Sequence, residues 1–199
     1  FPSIAFDSAS GKFLIIFCDT ANNTYLSGIV GTVSGTSITF GSKVAFQTSG
    51  YAQKTSCAYD ANSGKFLVVY QDGGNSNYGT AVVATISGTS VSFGSATVFE
   101  SSSTDHISAV YDVTNQKTVL TYAGGSAQVG YAKVATISGT SVSFGSRANT
   151  SGGGSYTGFY SHSAYDPDTS KVVNVYANLN NSTRGESVVG TVSGTDISF

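Results

Sequence analysis

Charge is the scarcest commodity in this sequence. Of 199 residues only nine are Lys or Arg and eleven Asp or Glu, for a net charge of −2. So weak a field gives no footprint for nucleic acid or an anionic membrane surface. Two cysteines are too few for a disulfide framework, and their spacing fits no zinc motif. Arg147 and Arg184 are the only arginines, too few for the arginine cluster with which propeller sialidases grip a carboxylate. Glu100 and Glu186 are the only glutamates, far apart in sequence, and offer no evident glycosidase pair. There is no G-x-S-x-G elbow. No apolar run reaches membrane-spanning length, so membrane insertion is not expected. Hydrophobic residues nevertheless make up 40% of the chain, enough for a sizeable core.

Repetition is what the sequence has in abundance. TISGTSVSFGS occurs at 85–95 and unchanged at 136–146, with TVSGTSITFGS at 32–42 and TVSGTDISF at 191–199. Aromatic-Asp pairs at Phe6-Asp7, Tyr59-Asp60, Tyr111-Asp112 and Tyr165-Asp166 recur at intervals of 53, 52 and 54 residues. The chain divides into four units, 1–49, 50–103, 104–155 and 156–199. It begins with Phe and ends on a strand-like ISF, so it is expected to be a stretch of something longer.

Each unit predicts four short strands. The first ends in the aromatic-Asp pair; a turn such as DSASGK follows, in which Asp folds over the backbone amides and Gly takes positive φ. Second strands (KFLIIF, KFLVVY, KTVLTY, KVVNVY) are apolar at almost every position, as expected where both faces are covered. Third strands carry Gly31, Ala84, Ala135 and Gly190 at one slot, which suits close approach by a neighbouring sheet. Fourth strands alternate, with Ile38 and Phe40 expected inward. No helical periodicity appears. The expected fold is all-β: four tandem four-stranded antiparallel meanders arranged as propeller-like blades, in a four-bladed ring or an arc of a larger one. A sandwich array and another β solenoid are the competing architectures.

The first hairpin has constant length, and variation falls in the second-to-third-strand loops and the inter-unit loops, which should emerge at one end of the meanders. These loops are rich in Asn, Tyr, Gly and Ser, a combination that supplies amide hydrogen bonds and flat apolar faces. Candidate ligand-binding residues are Asn23, Tyr25, Asn75, Asn77, Tyr78, Tyr131, Asn180, Asn181 and Arg184.

Other polar residues have plainer readings. The turn Asp residues are read as turn stabilisers. Asp19 and Asp72 lie beside Asn22, Asn23, Asn75 and Asn77, yet no bidentate Glu follows, so no metal is assigned. Cys18 and Cys57 lie on adjacent units and form either a disulfide or two buried thiols. His106 aligns with Lys54 and His162 with Ser56, so they are not equivalent. No cofactor and no catalytic residue is assigned.

The unit aromatic-Asp-x-x-x-Gly-Lys, apolar run, Tyr-x-Asp, then the ISGTSVSFGS hairpin resembles the tandem repeats of about 50 residues in bacteriophage tail-associated and large bacterial surface proteins. The third and fourth units lose the second Asp, running Tyr122-Ala123-Gly124 and Tyr176-Ala177-Asn178. The resemblance implies a propeller-like extracellular module for display or attachment on a virion, a tail fibre or a bacterial surface, with no catalytic residues to carry over. A non-enzymatic adhesion or recognition role, with a cell-surface glycan as partner, is the expectation that the Asn- and Tyr-rich loops add. A structural spacer or a self-associating appendage subunit is the alternative, and a polysaccharide hydrolase a distant third.

Overall fold

The computed structural model describes residues 2–182 and 184–199. Among the described residues, strands take up 66%, all pairings are antiparallel, and no sheet closes into a barrel. Among the described residues the one helical element is a 3₁₀ turn at Gly73–Asn75, and no helix is long and apolar enough to cross a membrane.

The first unit folds as β1 (Ser3–Asp7), β2 (Lys12–Asp19), β3 (Tyr25–Ser34) and β4 (Ser37–Phe40), paired in that order. A fifth strand, β5 (Val44–Gln47), continues the line of β4 along β3 after a break at 41–43. The next elements are β6 (Ala52–Asp60), β7 (Lys65–Asp72), β8 (Tyr78–Ser87), β9 (Ser90–Phe93) and a 16-residue strand, β10 (Thr97–Asp112). The first half of β10 pairs with β8 and its second half with β11 (Lys117–Gly124), which joins two meanders into one nine-stranded sheet. That sheet ends in β12 (Val129–Ser138), β13 (Ser141–Phe144) and β14 (Ala148–Asn149). The last sheet is β15 (Phe159–Asp166), β16 (Lys171–Asn178), β17 (Arg184–Ser193) and β18 (Asp196–Ser198). The inter-unit segment ESSSTDHI, expected to be a loop, is therefore strand: it buries Glu100, Thr104 and Ile107, and its start pairs with β8 and its end with β11.

The core lies between the units. Leu14, Ile16, Leu26 and Val30 of the first pack on Phe66, Val68, Tyr70, Val82 and Val91 of the second. The other side of the second, with Leu67, Val69, Val83 and Phe99, packs on Leu120, Tyr122, Ala135 and Val142. Val119, Ala132 and Val134 then pack on Val172, Val192 and Ile197. Each fully buried aliphatic side chain stabilises by about 1.5–3 kcal/mol. Strands β7 and β11 are buried on both faces, as the sequence predicts. Strands β2 and β16 are covered well on one face only, because each has one neighbouring sheet instead of two. For the same reason Ile38 and Phe40, expected inward, stand 43% and 55% exposed, whereas Val91, Val142 and Ile197 at the position of Ile38 are buried.

The close approach expected at Gly31 and Gly190 comes from within the sheet. A Cβ there would meet Ile38 at 2.9 Å or Ile197 at 2.7 Å, side chains of the adjacent outer strand. The sheet-to-sheet approach falls on the glycine of each FGS segment. A Cβ on Gly41, Gly94 or Gly145 would lie 1.8, 2.2 or 1.7 Å from the carbonyl oxygen of Thr89, Thr140 or Thr195, in the Ser-Gly-Thr turn of the following unit. The repeated phrase thus carries both halves of an inter-unit contact.

Two further contacts recur. Ser56 and Ser108 accept hydrogen bonds from the Ala109 and Ser163 amides (3.0 and 3.1 Å), bridging first strands that form no ladder with each other. The hydroxyls of Tyr111 and Tyr165 accept from the Asn62 and Thr114 amides in the preceding unit's first turn. In these turns Asp7, Asp60, Asp112 and Asp166 cap backbone amides as predicted, for example Ala9 and Ser10 on Asp7.

Candidate functional site

The variable loops and inter-unit segments do converge along one end of the sheets, knitted by backbone hydrogen bonds. The Thr104 amide donates to Asn77, Gly125 to Ser103, Gly158 to Gln128 and Leu179 to Tyr156. Gly73 and Gly74 are needed here: a Cβ on either would lie 1.9 Å from the Tyr51 or Ser49 carbonyl oxygen.

The nine candidate residues are strung along this rim and do not share one cleft. Asn23, Asn75, Asn77, Asn180 and Asn181 lie in loops, and Tyr25, Tyr78, Tyr131 and Arg184 near the starts of third strands. Several are already engaged. Asn181 donates to Glu186 at 3.0 Å, and Asn180 donates to the Ser155 carbonyl. Tyr131 is half-buried beneath the Arg147 guanidinium, 4.1 Å from its ring centroid. Arg147 also contacts Glu100 at 3.3 Å, and the buried Tyr122 hydroxyl donates to the same carboxylate at 2.9 Å. Glu100, unclustered in sequence, thus anchors a buried network. Burial and the Glu100 charge push the Tyr122 phenol far above its ordinary pKa.

Asp19 is paired with Lys43, and Asp72 accepts from the Gly74 amide and the Gln47 side chain. Cys18 and Cys57 are free thiols in the first inter-unit core. The Cys57 thiol lies 3.2 Å from the Ser3 hydroxyl and is pushed up to about 11, chiefly by burial.

The residues that do converge were only partly visible in the sequence. A cleft of about 440 Å³ is lined by Pro2, Lys54, Thr55, His106, Ile107, Tyr160, Ser161 and His162. These come from the same stretch of each unit, just before the aromatic-Asp strand. Lys54, His106 and Tyr160 each stand five residues before their unit's aromatic and have φ of 57°, 49° and 53°. At each the strand slips register against its neighbour: between Gln53 and Ser56, Asp105 and Ser108, Phe159 and His162. A left-handed bulge at a non-glycine residue costs on the order of 1 kcal/mol and re-aims side chains. Here it happens three times around one cleft.

The bulges set out a mixed surface. Tyr160 is 67% exposed and Tyr156 47% exposed. His106 packs against the rings of Phe159 and Tyr160, with centroids at 5.2 and 4.9 Å. Lys54 pairs with Asp105 at 3.2 Å, and Asp105 accepts the His106 amide at 2.8 Å. Burial lowers the His106 pKa, against Asp105, and Lys54 and His162 act in the same sense as burial, which favours the neutral imidazole. The site therefore offers flat aromatic faces beside neutral and charged hydrogen-bonding groups, with one ion pair internally balanced. Among the described residues no group of His, Cys, Asp and Glu side chains has the arrangement of a metal site.

No family model matches this chain, and no curated protein matches it.

Proposed function

We propose that the chain is a non-enzymatic, extracellular recognition module, of a virion appendage or a bacterial surface, that binds a glycan at its loop end. In this reading the meanders are propeller-like blades in an arc, and the bulged starts of their first strands form the mouth of its axis. The observation that carries the proposal is the cleft shared by all four units, where Tyr160, held out at positive φ beside His106 and Phe159, presents an open ring. Sugars stack their C–H faces on such rings and bond their hydroxyls to surrounding polar groups, here Lys54, Thr55 and His162. The non-enzymatic reading is supported by the two glutamates. Glu100 is tied to Tyr122 and Arg147, and Glu186 to Asn178 and Asn181, so neither is poised for acid–base work.

A glycan array probed with the chain and with Tyr160→Ala tests the proposal. The expected result is binding to a restricted set of neutral oligosaccharides, weakened at least about tenfold in the variant, the equivalent of roughly 1.4 kcal/mol. Binding unaffected by Tyr160→Ala would move the site elsewhere, and an array with no signal would reject the glycan.

A further inference from the structure

The two outermost sheets expose opposite halves of an interface that the molecule builds three times internally. On the first sheet Ile4, Phe6, Val33, Ile38 and Phe40 are 58%, 49%, 50%, 43% and 55% exposed, forming a continuous apolar face. One unit later the matching residues are Cys57, Tyr59, Ile86, Val91 and Phe93, and all are packed in the first core against β2, β3 and β5. On the last sheet the free side presents Val173, Val175, Ala177, Ser187 and Val189, with Val175 and Val189 48% and 55% exposed. Their counterparts in the first unit, Leu14, Ile16, Cys18, Gly28 and Val30, are what the second unit packs upon.

The internal joint shows what such faces accept. Phe93 lays its ring over Gly28, where a Cβ would come within 2.5 Å of it, and stacks on Phe46 at 4.2 Å. The matching spot on the last sheet is a cleft of about 450 Å³ lined by Val175, Ala177, Gly185 and Ser187, with Tyr176, Glu186 and Tyr160 at its border, so Tyr160 lies between this cleft and the one at the loop end. Phe40 is the counterpart of Phe93. Exposed apolar faces of this extent mark association surfaces, and the three internal joints identify the cover for a face of the first kind as a face of the second kind.

We infer that two copies of this chain associate head to tail, the first sheet of one docking on the last sheet of the other, with Phe40 entering the Val175–Ser187 cleft. The contact is heterologous, so each copy keeps one free face unless the geometry closes a ring. This inference rests on the internal joints and not on the glycan reading.

Sedimentation velocity over about a hundredfold range of concentration, on the chain and on Phe40→Glu and Val189→Lys, tests it. Both substitutions fall on exposed side chains, and circular dichroism verifies that the variants fold. The wild-type mass should rise above the monomer with concentration, and each variant alone should stay monomeric, because every contact needs one face of each kind. An equimolar mixture of the two variants should form a one-to-one dimer and nothing larger. A wild-type chain that stays monomeric throughout overturns the inference. So does a Val189→Lys protein that dimerises alone, which would mean first sheet on first sheet, or a mixture that remains monomeric.

Discussion

Gly94 presses so closely on Thr140 that a β-carbon at Gly94 would lie 2.2 Å from the Thr140 carbonyl oxygen. The obstacle is backbone, so it cannot rotate away. Gly94→Ala must spread the second and third units at their outer strands and should cost on the order of 1–3 kcal/mol. In a domain of this size that lowers the melting temperature by about 2–4 °C per kcal/mol. Gly185→Ala, at a strand position where a Cβ meets nothing within 4 Å and φ is not positive, adds the same methyl group without the clash. Equal losses in the two variants would show that the Thr140 contact is not responsible.

Gln116 occupies the turn position held by Gly11 and Gly64, at φ 55° against 70° and 66°. A side chain there is strained. Gln116→Gly should stabilise by about 0.5–1 kcal/mol, and Gly64→Ala should destabilise by a similar amount. Urea midpoints measure both; a stabilised Gly64→Ala would contradict the assignment.

The Glu100 carboxylate is buried and held by Tyr122 and the partly exposed Arg147. Removing the guanidinium leaves an under-satisfied buried charge, so Arg147→Ala should cost about 1–3 kcal/mol and Tyr122→Phe about 1 kcal/mol. Combined with Glu100→Gln, the Arg147→Ala loss should shrink, a coupling that a double-mutant cycle reads directly. Simple additivity would show that the pair does not interact.

Acid should weaken the fold in two stages. The Asp7 carboxyl sits below its ordinary pKa: burial works against this, but hydrogen bonds from Ser10, Tyr59 and the turn amides outweigh it. Asp166 is lowered by the Thr169 hydroxyl and the Asp168 amide, and Glu186 by Asn181 and Asn178. Their contribution is complete above the unfolded carboxyl range and is lost as pH falls through the folded values, below about 4. His106 is a base with a lowered pKa, so the unfolded chain takes up its proton first, and stability declines as pH drops below about 6.5. Denaturant midpoints should therefore be flat only between about pH 7 and 8 and fall on acidification, with the earlier decline absent in His106→Gln. Above that window they should fall again, because the buried Cys57 thiol and Tyr122 phenol keep their protons while the unfolded chain loses them. A midpoint that rises between neutrality and pH 5 would contradict the sign.

Much of the fold is legible in the residues. The unbroken apolar runs KFLVVY and KTVLTY announce strands covered on both faces, and the turn Asp residues do the capping that their position implies. The course of β10 is not legible, because ESSSTDHI reads as a polar loop and becomes strand only through partners on β8 and β11, distant in sequence. The exposure of Ile38 and Phe40 depends on which sheets have neighbours, which no local pattern encodes. The shared cleft was hidden for a different reason. Lys54, His106 and Tyr160 differ in type, so their common bulge leaves no repeated letter, although a position filled in turn by Lys, His and Tyr within a monotonous repeat was itself a signal. Asn180 and Asn181 point the other way: loop asparagines that look free are occupied by neighbours.

The most direct measurement of the recognition site is residue-resolved. Heteronuclear NMR of the chain, titrated with a neutral oligosaccharide selected on the array, should shift the signals of Tyr160, His106, Thr55 and Ser161 together along one saturation curve, leaving the turns at 8–11 and 61–64 still. Shifts confined to other surfaces, with the Tyr160 and His106 signals unmoved at saturation, would contradict the account.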